Sequence, residues 1–276
     1  MPDLVTDDGT RLHYTDTGGS GRPLVLVHGW PLSGEAFAGN VPAFRDAGYR
    51  VVTYDRRGFG DSDKPAAGYD YDTLSADLAA VLETLDLTGA AVLGFSMGGG
   101  ELARSFGAGR AGRIAAAVFS GSITPALCVT DDNPDGAMPR DGFDQMAAQC
   151  RADHAGFLDQ FTGWFFSTEA GGLQVDEATR QEALRIGLRS DPEAAARCIE
   201  IWATDLRADC RAIDVPTLVI HGTGDINVPA AASSARMAGY VPDSRLELID
   251  GAPHGANVSH ARQWERLVLD FLAALP

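Results

Sequence analysis

Length, composition and charge exclude several classes of protein. The 276 residues suit one large domain or a domain with an insertion, and no stretch approaches the ~18 unbroken apolar residues of a membrane span. The net charge of −16 argues against nucleic acid and membrane partners, because both require a basic face on the protein.

The amino-terminus and the cysteines indicate a cytoplasmic protein. The opening sequence has no basic segment followed by an apolar run, so no secretory signal is predicted. The 4 cysteines form no Cys-x-x-Cys pair, which favours free thiols in a reducing compartment over disulfides or a metal site.

Short apolar runs alternate with helical patterns along the first part of the chain. An alternating outer strand and four apolar strands are predicted at 12–16, 24–28, 50–54, 90–95 and 114–119. Helical periodicity covers 73–87 and 97–106. Because continuous apolar runs are typical of strands covered on both faces, this order predicts a parallel sheet with right-handed crossovers.

The alternation stops after residue 119 and resumes late in the chain. Two further strands are predicted at 216–221 and 245–249, followed by a last helix over 263–274. The segment between, 121–213, is predicted to be a helical cap inserted into a core formed by 1–120 and 214–276. It is rich in aromatic residues, and four of them are expected to line a substrate pocket: Phe143, Phe157, Phe161 and Trp164.

A candidate nucleophile stands at the end of one apolar strand. Gly94-Phe-Ser-Met-Gly98 follows that strand and opens a helix. Glycines two residues on either side of Ser96 permit a sharp turn that lifts the hydroxyl clear of the sheet. Unpaired amides at the helix N-terminus favour the negative charge that develops during acyl transfer. The sequence therefore predicts Ser96 as a nucleophile.

A serine nucleophile requires a base, and the base requires an orienting acid. His254 is predicted to be the base because it lies on a loop between an apolar strand and the final helix, and His28 is the second candidate. Asp225 is predicted to be the acid, in a glycine-containing loop after the preceding strand. The other carboxylates considered are Asp131, Asp132 and Asp250, of which Asp250 is interpreted as a turn residue.

Two backbone amides are candidate donors to an oxyanion. The first is the amide of Met97, the residue after the nucleophile. The second is the amide of Trp30, on the loop after the strand that ends near His28. Pro31 restricts this loop, because proline fixes its own φ and limits the preceding residue. Trp30 and Pro31 are therefore also placed in the expected substrate pocket.

Five motifs together resemble those of an α/β-hydrolase. They are His28-Gly-Trp-Pro31, the 55–62 loop, Gly94-Phe-Ser-Met-Gly-Gly-Gly-Glu101, His221-Gly-Thr-Gly-Asp225 and Pro253-His-Gly255. Specifically, the chain resembles the cofactor-free bacterial non-heme chloroperoxidase and aryl esterase family. The resemblance implies an α/β fold with a mostly parallel eight-stranded sheet, flanked by helices, and a helical cap after strand six.

The resemblance also implies a set of functional residues. These are Ser96, Asp225 and His254 as catalytic triad, with the Trp30 and Met97 amides as oxyanion hole, in agreement with the argument from the residues. No cofactor and no metal are implied, and the family suggests a homo-oligomer.

The predicted activity is hydrolysis of small aryl or alkyl carboxylic esters through an acyl-enzyme. In similar family members, a Trp-Pro pair at this position is associated with a backbone carbonyl that accepts a hydrogen bond from hydrogen peroxide. The resemblance thus implies that a peracid forms and that it oxidises halide outside the enzyme. Two alternatives keep the same triad: lactam or amide hydrolysis, and carbon–carbon bond cleavage. A third alternative is a non-catalytic receptor on the same fold.

Overall fold

The main feature of the computed structural model, which describes residues 2–275, is one sheet of eight strands. The eight strands are β1 Asp3–Val5, β2 Arg11–Asp16, β3 Pro23–Val27, β4 Arg50–Tyr54, β5 Ala90–Phe95, β6 Ile114–Ser120, β11 Thr217–Gly222 and β12 Ser244–Ile249. Their spatial order is β1-β2-β4-β3-β5-β6-β11-β12. Two small sheets are formed by the short strands β7 Cys128–Val129, β8 Met138–Pro139, β9 Ser167–Thr168 and β10 Gly172–Leu173.

The large sheet is parallel except at one edge. β1 pairs with β2 and β2 with β4 in antiparallel fashion, and every other pair in the sheet is parallel. The predicted eight-stranded, mostly parallel sheet is confirmed. Seven of its strands were predicted, whereas β1 was missed because its three residues alternate exposed and buried and form no apolar run.

Ten α-helices and three 3₁₀-helices accompany the strands within residues 2–275. The α-helices are α1 Val41–Asp46, α2 Tyr71–Thr84, α3 Gly98–Gly107, α4 Arg140–Ala152, α5 His154–Phe165, α6 Glu177–Gly187, α7 Pro192–Ile201, α8 Arg207–Arg211, α9 Ala256–Ser259 and α10 Ala261–Ala273. The 3₁₀-helices are Gly34–Phe37, Ala230–Ala232 and Ser234–Gly239. None of these helices is long and apolar enough to cross a membrane.

Strand and helix periodicity place apolar residues on both faces of the sheet. In β3, Leu24 and Leu26 belong to the core on one face, and Val25 and Val27 to the core on the other. Helix α2 begins at a side-chain cap, since the carboxylate of Asp70 accepts from the amide of Thr73 at 2.8 Å. Both faces of the central strands are therefore covered, as the continuous apolar runs predicted.

The chain between β6 and β11 holds helices α4 to α8 and both small sheets. Its aromatic residues, including Phe143, Phe157, Phe161 and Phe165, join the same core cluster as Leu24 and other residues of the sheet. The division into a core of 1–120 and 214–276 and a cap of 121–213 stays a prediction. All four cysteines are buried with free thiols.

Candidate active site

Ser96 occupies a strained turn between β5 and α3. Its φ is 53°, in the left-handed region that non-glycine residues seldom adopt. The flanking glycines permit the turn by close approach: a Cβ atom on Gly94 would lie 2.6 Å from the carbonyl oxygen of Gly98, and one on Gly98 would lie 2.6 Å from that of Val27. The Gly-x-Ser-x-Gly spacing thus allows the strand and the helix to meet tightly under the serine.

Three residues far apart in the chain form one hydrogen-bonded chain of side chains. The Nε2 atom of His254 lies 2.9 Å from Oγ of Ser96, and its Nδ1 atom lies 2.6 Å from Oδ2 of Asp225. Asp225 follows β11 and His254 follows β12. Since the carboxyl ends of parallel strands meet at one edge of the sheet, the fold brings these loops together beside the turn after β5.

The carboxylate of Asp225 is buried and accepts several hydrogen bonds. Its Oδ1 accepts from the backbone amides of Asn227 and Val228, both at 2.9 Å, and its Oδ2 also lies 3.2 Å from Nε2 of His221. Burial raises the pKa of Asp225, but the charge of His254 and the hydrogen bonds from His221 and His254 outweigh burial and hold that pKa below its usual range. Asp225 therefore stays ionised and orients the imidazole with Nδ1 protonated.

The two candidate oxyanion donors lie beside the serine. The loop after β3 approaches closely, since a Cβ atom on Gly29 would lie 3.0 Å from Cβ of Ser96. Within residues 2–275, the backbone amides of Trp30 and Met97 donate to no protein acceptor. Two unpaired amides on two segments that meet at a nucleophile are the arrangement that a developing oxyanion requires. The peptide bond between Trp30 and Pro31 is cis.

Comparison with known proteins identifies the family of the chain. A family model described as the alpha/beta hydrolase fold matches residues 22–261. A non-heme chloroperoxidase from Streptomyces lividans is 39% identical over 263 residues, which cover 94% of this chain and 95% of that protein. The chain belongs to the α/β-hydrolase family, in its non-heme chloroperoxidase and esterase branch.

Two further relatives connect the hydrolase to esterase and peroxidase chemistry. The crystal structure of a bromoperoxidase from Bacillus anthracis superposes with a TM-score of 0.94 at 39% identity, covering 99% of this chain and 100% of that chain. A bifunctional esterase/perhydrolase from Acinetobacter calcoaceticus is 32% identical over 272 residues, 98% of each chain. The fold and the family predicted from the motifs are thereby confirmed.

A cavity of about 390 Å³ opens onto the reactive side chains of the hydrolase. Ser96 and His254 form part of its wall, and the rest of the wall is mostly apolar. The remaining lining residues are Ile123, Leu127, Ala137, Met138, Phe143, Met146, Phe161, Trp164, Trp202, Ile226, Asn227 and Val228. This wall suits a small, largely apolar substrate with its reacting carbonyl at the polar end.

The structure divides the residues predicted to line the pocket into two groups. Phe143, Phe161 and Trp164 line the cavity, whereas Trp30, Pro31 and Phe157 do not. The assignment of Trp30, Pro31 and Phe157 to a substrate pocket stays a prediction. The ring of Trp30 is buried behind the wall, edge-to-face with Phe161 at a centroid distance of 4.7 Å and 6.0 Å from Phe157. Pro31 packs towards α6, where a Cβ atom on Gly187 would lie 3.2 Å from its Cγ.

His28, the second candidate for the base, has both ring nitrogens occupied by backbone groups. Its Nε2 accepts from the amide of Arg56 at 3.0 Å, and its Nδ1 donates to the carbonyl of Gly29 at 2.9 Å. Burial, reinforced by the charge of Arg56, lowers the pKa of His28 well below its ordinary value. His28 is therefore neutral, and the two hydrogen bonds of its ring stabilise the loop of Trp30.

The other carboxylates considered as the acid are exposed, and within residues 2–275 they form no hydrogen bond or ion pair with Ser96 or His254. Asp132 is exposed and forms an ion pair with Arg207, whose Nη2 lies 2.7 Å from its Oδ2. Asp250 accepts from the hydroxyl of Thr223 at 3.2 Å in the turn after β12. Sequence reasoning missed His221 as a partner of Asp225, although its place in His221-Gly-Thr-Gly-Asp225, four residues before the acid, was a usable signal.

A buried ion pair supports the loop of Trp30 through Arg56. The guanidinium of Arg56 donates to Oε1 of Glu101 and, at 2.7 Å, to the carbonyl of His28, and Tyr54 donates to Oε2 of Glu101 at 2.9 Å. Arg56 and Glu101 are fully buried. The network connects the first turn of α3, which follows the serine, to the loop after β3. It therefore fixes the two candidate oxyanion segments relative to each other.

Replacing Glu101 with glutamine is expected to destabilise the protein by about 3–5 kcal/mol, because the charge of Arg56 would remain buried without a counter-ion. Urea unfolding at pH 8 measures this loss. The matched control is Asp144→Asn, which breaks the exposed pair with Arg140 and is expected to cost less than about 1 kcal/mol. Equal stability of the two variants would contradict a supporting role for the Arg56–Glu101 pair.

Proposed function

We propose that the protein is a serine esterase that cleaves small carboxylic esters through an acyl-enzyme and that also accepts hydrogen peroxide in place of water. The observation that carries this proposal is the hydrogen-bonded series Ser96–His254–Asp225 at the mouth of an apolar cavity. The relatives described above, a chloroperoxidase, a bromoperoxidase and a bifunctional esterase/perhydrolase, support the same chemistry.

Acylation uses the hydrogen bonds described above. Oγ of Ser96 attacks the ester carbonyl carbon as its proton moves to Nε2 of His254. The carbonyl oxygen gains negative charge and receives hydrogen bonds from the amides of Trp30 and Met97. The carbon–oxygen bond to the alcohol then breaks, and His254 returns the proton to the leaving oxygen. Asp225 stabilises the imidazolium throughout.

Deacylation repeats these steps with a small nucleophile. Water loses a proton to His254 as it attacks the acyl carbon. The bond between that carbon and Oγ of Ser96 then breaks, His254 returns the proton to Oγ, and the carboxylic acid leaves. Hydrogen peroxide reacts in the same way and releases a peracid. Outside the enzyme, a peracid transfers one oxygen to a halide ion, which is oxidised to hypohalous acid while the peracid is reduced to the carboxylic acid.

A panel of nitrophenyl esters of rising acyl length, assayed with and without peroxide, tests the proposal. We expect turnover of short esters and formation of peracid when peroxide is present. Turnover of amides or lactams without turnover of esters would instead support the alternative hydrolase activity. The panel is run in parallel on Ser96→Ala, whose expected behaviour is treated in the Discussion.

The choice between peroxide and water is assigned to the carbonyl of Trp30. This carbonyl accepts no hydrogen bond from residues 2–275, and its loop lies against Ser96. Water and hydrogen peroxide each have two O–H bonds, and one of them gives its proton to His254. The second O–H of peroxide is on the distal oxygen and not on the attacking one, so a free acceptor beyond the attacking atom pairs with peroxide and favours it over water. Pro31 stiffens this loop because its ring fixes φ and removes a backbone donor.

Replacing Pro31 with leucine is expected to lower the ratio of perhydrolysis to hydrolysis by several-fold. Leucine restores backbone freedom and an N–H group, so the carbonyl of Trp30 is held less firmly. Peracid formation and carboxylate release, measured from one ester at fixed peroxide, provide the ratio. The control is Pro42→Leu at the exposed start of α1, a position that does not line the cavity with Ser96. An unchanged ratio in Pro31→Leu would remove Pro31 from this role.

We also propose that the helical segment 121–213 acts as a cap on the hydrolase core. The cavity lies between Ser96 and His254 of the core and aromatic residues of this segment, among them Phe143, Phe161 and Trp202. Substrate selection would therefore depend on the cap, and bond breaking on the core.

A further inference from the structure

Strand β12 forms one edge of the eight-stranded sheet and pairs with β11. The carbonyl of Ile249 accepts from the amide of Thr223 at 3.0 Å, which continues the ladder between the two strands. In a parallel ladder, alternate residues bond the same neighbour, so the amides and carbonyls of Leu246 and Leu248 face away from the sheet. Within residues 2–275 these outward-facing groups have no hydrogen-bond partner.

The side chains of β12 are accessible on both faces of this edge. Leu246 and Leu248 lie on one face and are 39% and 49% exposed. Arg245 and Glu247 lie on the other face and form an ion pair, with Nε of Arg245 2.6 Å from Oε1 of Glu247. Charges of one sign on an edge strand oppose pairing with another chain. Here the two charges are opposite in sign and two residues apart.

This spacing makes the strand complementary to itself in one register. Two copies related by a two-fold axis perpendicular to the sheet would pair their β12 edges antiparallel. Their outward-facing residues must oppose each other to exchange hydrogen bonds, so the axis passes through a residue. An axis at Leu246 places Arg245 of each copy opposite Glu247 of the other.

The neighbouring registers lack this complementarity. An axis at Arg245 places that guanidinium opposite its own copy, and an axis at Glu247 does the same with the carboxylate. Like charges directly opposite each other destabilise a strand pair. Axes further along leave fewer of the six residues of β12 paired. The charges therefore select the register with Leu246 at its centre.

We propose that β12 is an interaction surface for a second copy of this chain, which pairs antiparallel about Leu246 and joins the two sheets. Backbone hydrogen bonds form along the edge, and two reciprocal ion pairs form between Arg245 and Glu247 of different copies. The net charge of −16 opposes association, and these two pairs offset it locally. A single strand edge buries less than the ~1,200 Å² of standard interfaces, so we expect a reversible contact with a Kd of about 1–100 µM.

Analytical ultracentrifugation of the full chain between about 1 and 500 µM tests the proposal. The wild-type protein is expected to associate in this range. Arg245→Glu and Glu247→Arg, made separately, each place like charges at both contacts and are expected to raise Kd at least about tenfold. Each breaks only a surface ion pair within its own copy, so the fold should persist, which circular dichroism checks.

Mixing the two single variants distinguishes contact between copies from damage within one copy. One variant then carries two acidic groups at these positions and the other carries two basic groups. The mixture is expected to form a mixed dimer with a Kd within about fivefold of the wild-type value. The matched control is Asp144→Arg, which disrupts the exposed pair with Arg140 and changes the net charge as Glu247→Arg does. This control should keep the wild-type Kd.

Three results would overturn the inference. One is a wild-type protein that stays monomeric up to about 500 µM. Another is association that neither single variant weakens, which would place the interface elsewhere on the chain. The third is a pair of variants that dissociate alone and do not associate when mixed. A larger wild-type assembly whose mass each single variant reduces by half would support the same contact.

Discussion

Ser96→Ala is expected to lower kcat for ester hydrolysis by at least about 10⁴-fold, since the variant has no hydroxyl to form the acyl-enzyme. The Gly94 and Gly98 contacts do not involve the hydroxyl, so the turn and the fold are expected to persist. The nitrophenyl ester panel measures the rate, with and without peroxide. Both hydrolysis and perhydrolysis should fall together, because both depend on the same acyl-enzyme.

A fluorophosphonate probe provides a second measurement of the same prediction. The wild-type protein should be labelled once, at Ser96, and Ser96→Ala should not be labelled. Ser122→Ala is the matched control, because Ser122 is also buried and adjoins the same turn: a Cβ atom on Gly99 would lie 2.0 Å from its Oγ. This control should remain active. An active Ser96→Ala protein would refute the mechanism, and an unlabelled wild type would favour the non-catalytic receptor.

Asp225→Asn is expected to cost about 10⁴-fold in kcat with little change in fold. The amide oxygen can still accept from the backbone amides of Asn227 and Val228. The amide nitrogen would then face His254 where Oδ2 now accepts, so Nδ1 of His254 would become an acceptor and Nε2 would carry the proton. In that tautomer His254 cannot remove the proton of Ser96.

The controls for this prediction are two other carboxylates considered from the sequence, Asp132 and Asp250. Asp132→Asn breaks a surface ion pair with Arg207, and Asp250→Asn alters a turn contact with Thr223. Both variants should keep wild-type kcat within a small factor. Near-wild-type activity in Asp225→Asn, or a large loss in Asp132→Asn, would show that a different acid orients the imidazole.

The candidate site consists of a fully hydrogen-bonded network of side chains and of backbone groups that have no partner in the protein. His28, Arg56, Tyr54 and Glu101 form a buried network without free ring nitrogens or unpaired carboxylate oxygens. In contrast, the amides of Trp30 and Met97 and the carbonyl of Trp30 stay unpaired within residues 2–275. A site of this kind is preorganised, because its donors need no rearrangement when charge develops on the substrate.

The sequence by itself determined the fold and the candidate reactive residues. Apolar runs of five to seven residues mark strands β3 to β6, and glycines around Ser96 mark the sharp turn, because both signals are local in the chain. Asp225 and His254 could also be predicted, because each follows a strand whose carboxyl end lies at the same edge of the sheet. The family followed from the same motifs.

The tertiary structure alone decided which residues form the wall of the cavity. Trp30 and Phe157 are aromatic and near the right loops in sequence, yet both lie behind the wall, while Trp202 and Asn227 line it. It also assigned His28 to the support of the loop by occupying both ring nitrogens. The composition of the cavity wall depends on packing between segments more than a hundred residues apart, such as those of Trp30 and Phe157. Periodicity and spacing carry no information about which side of a packed ring faces a cavity.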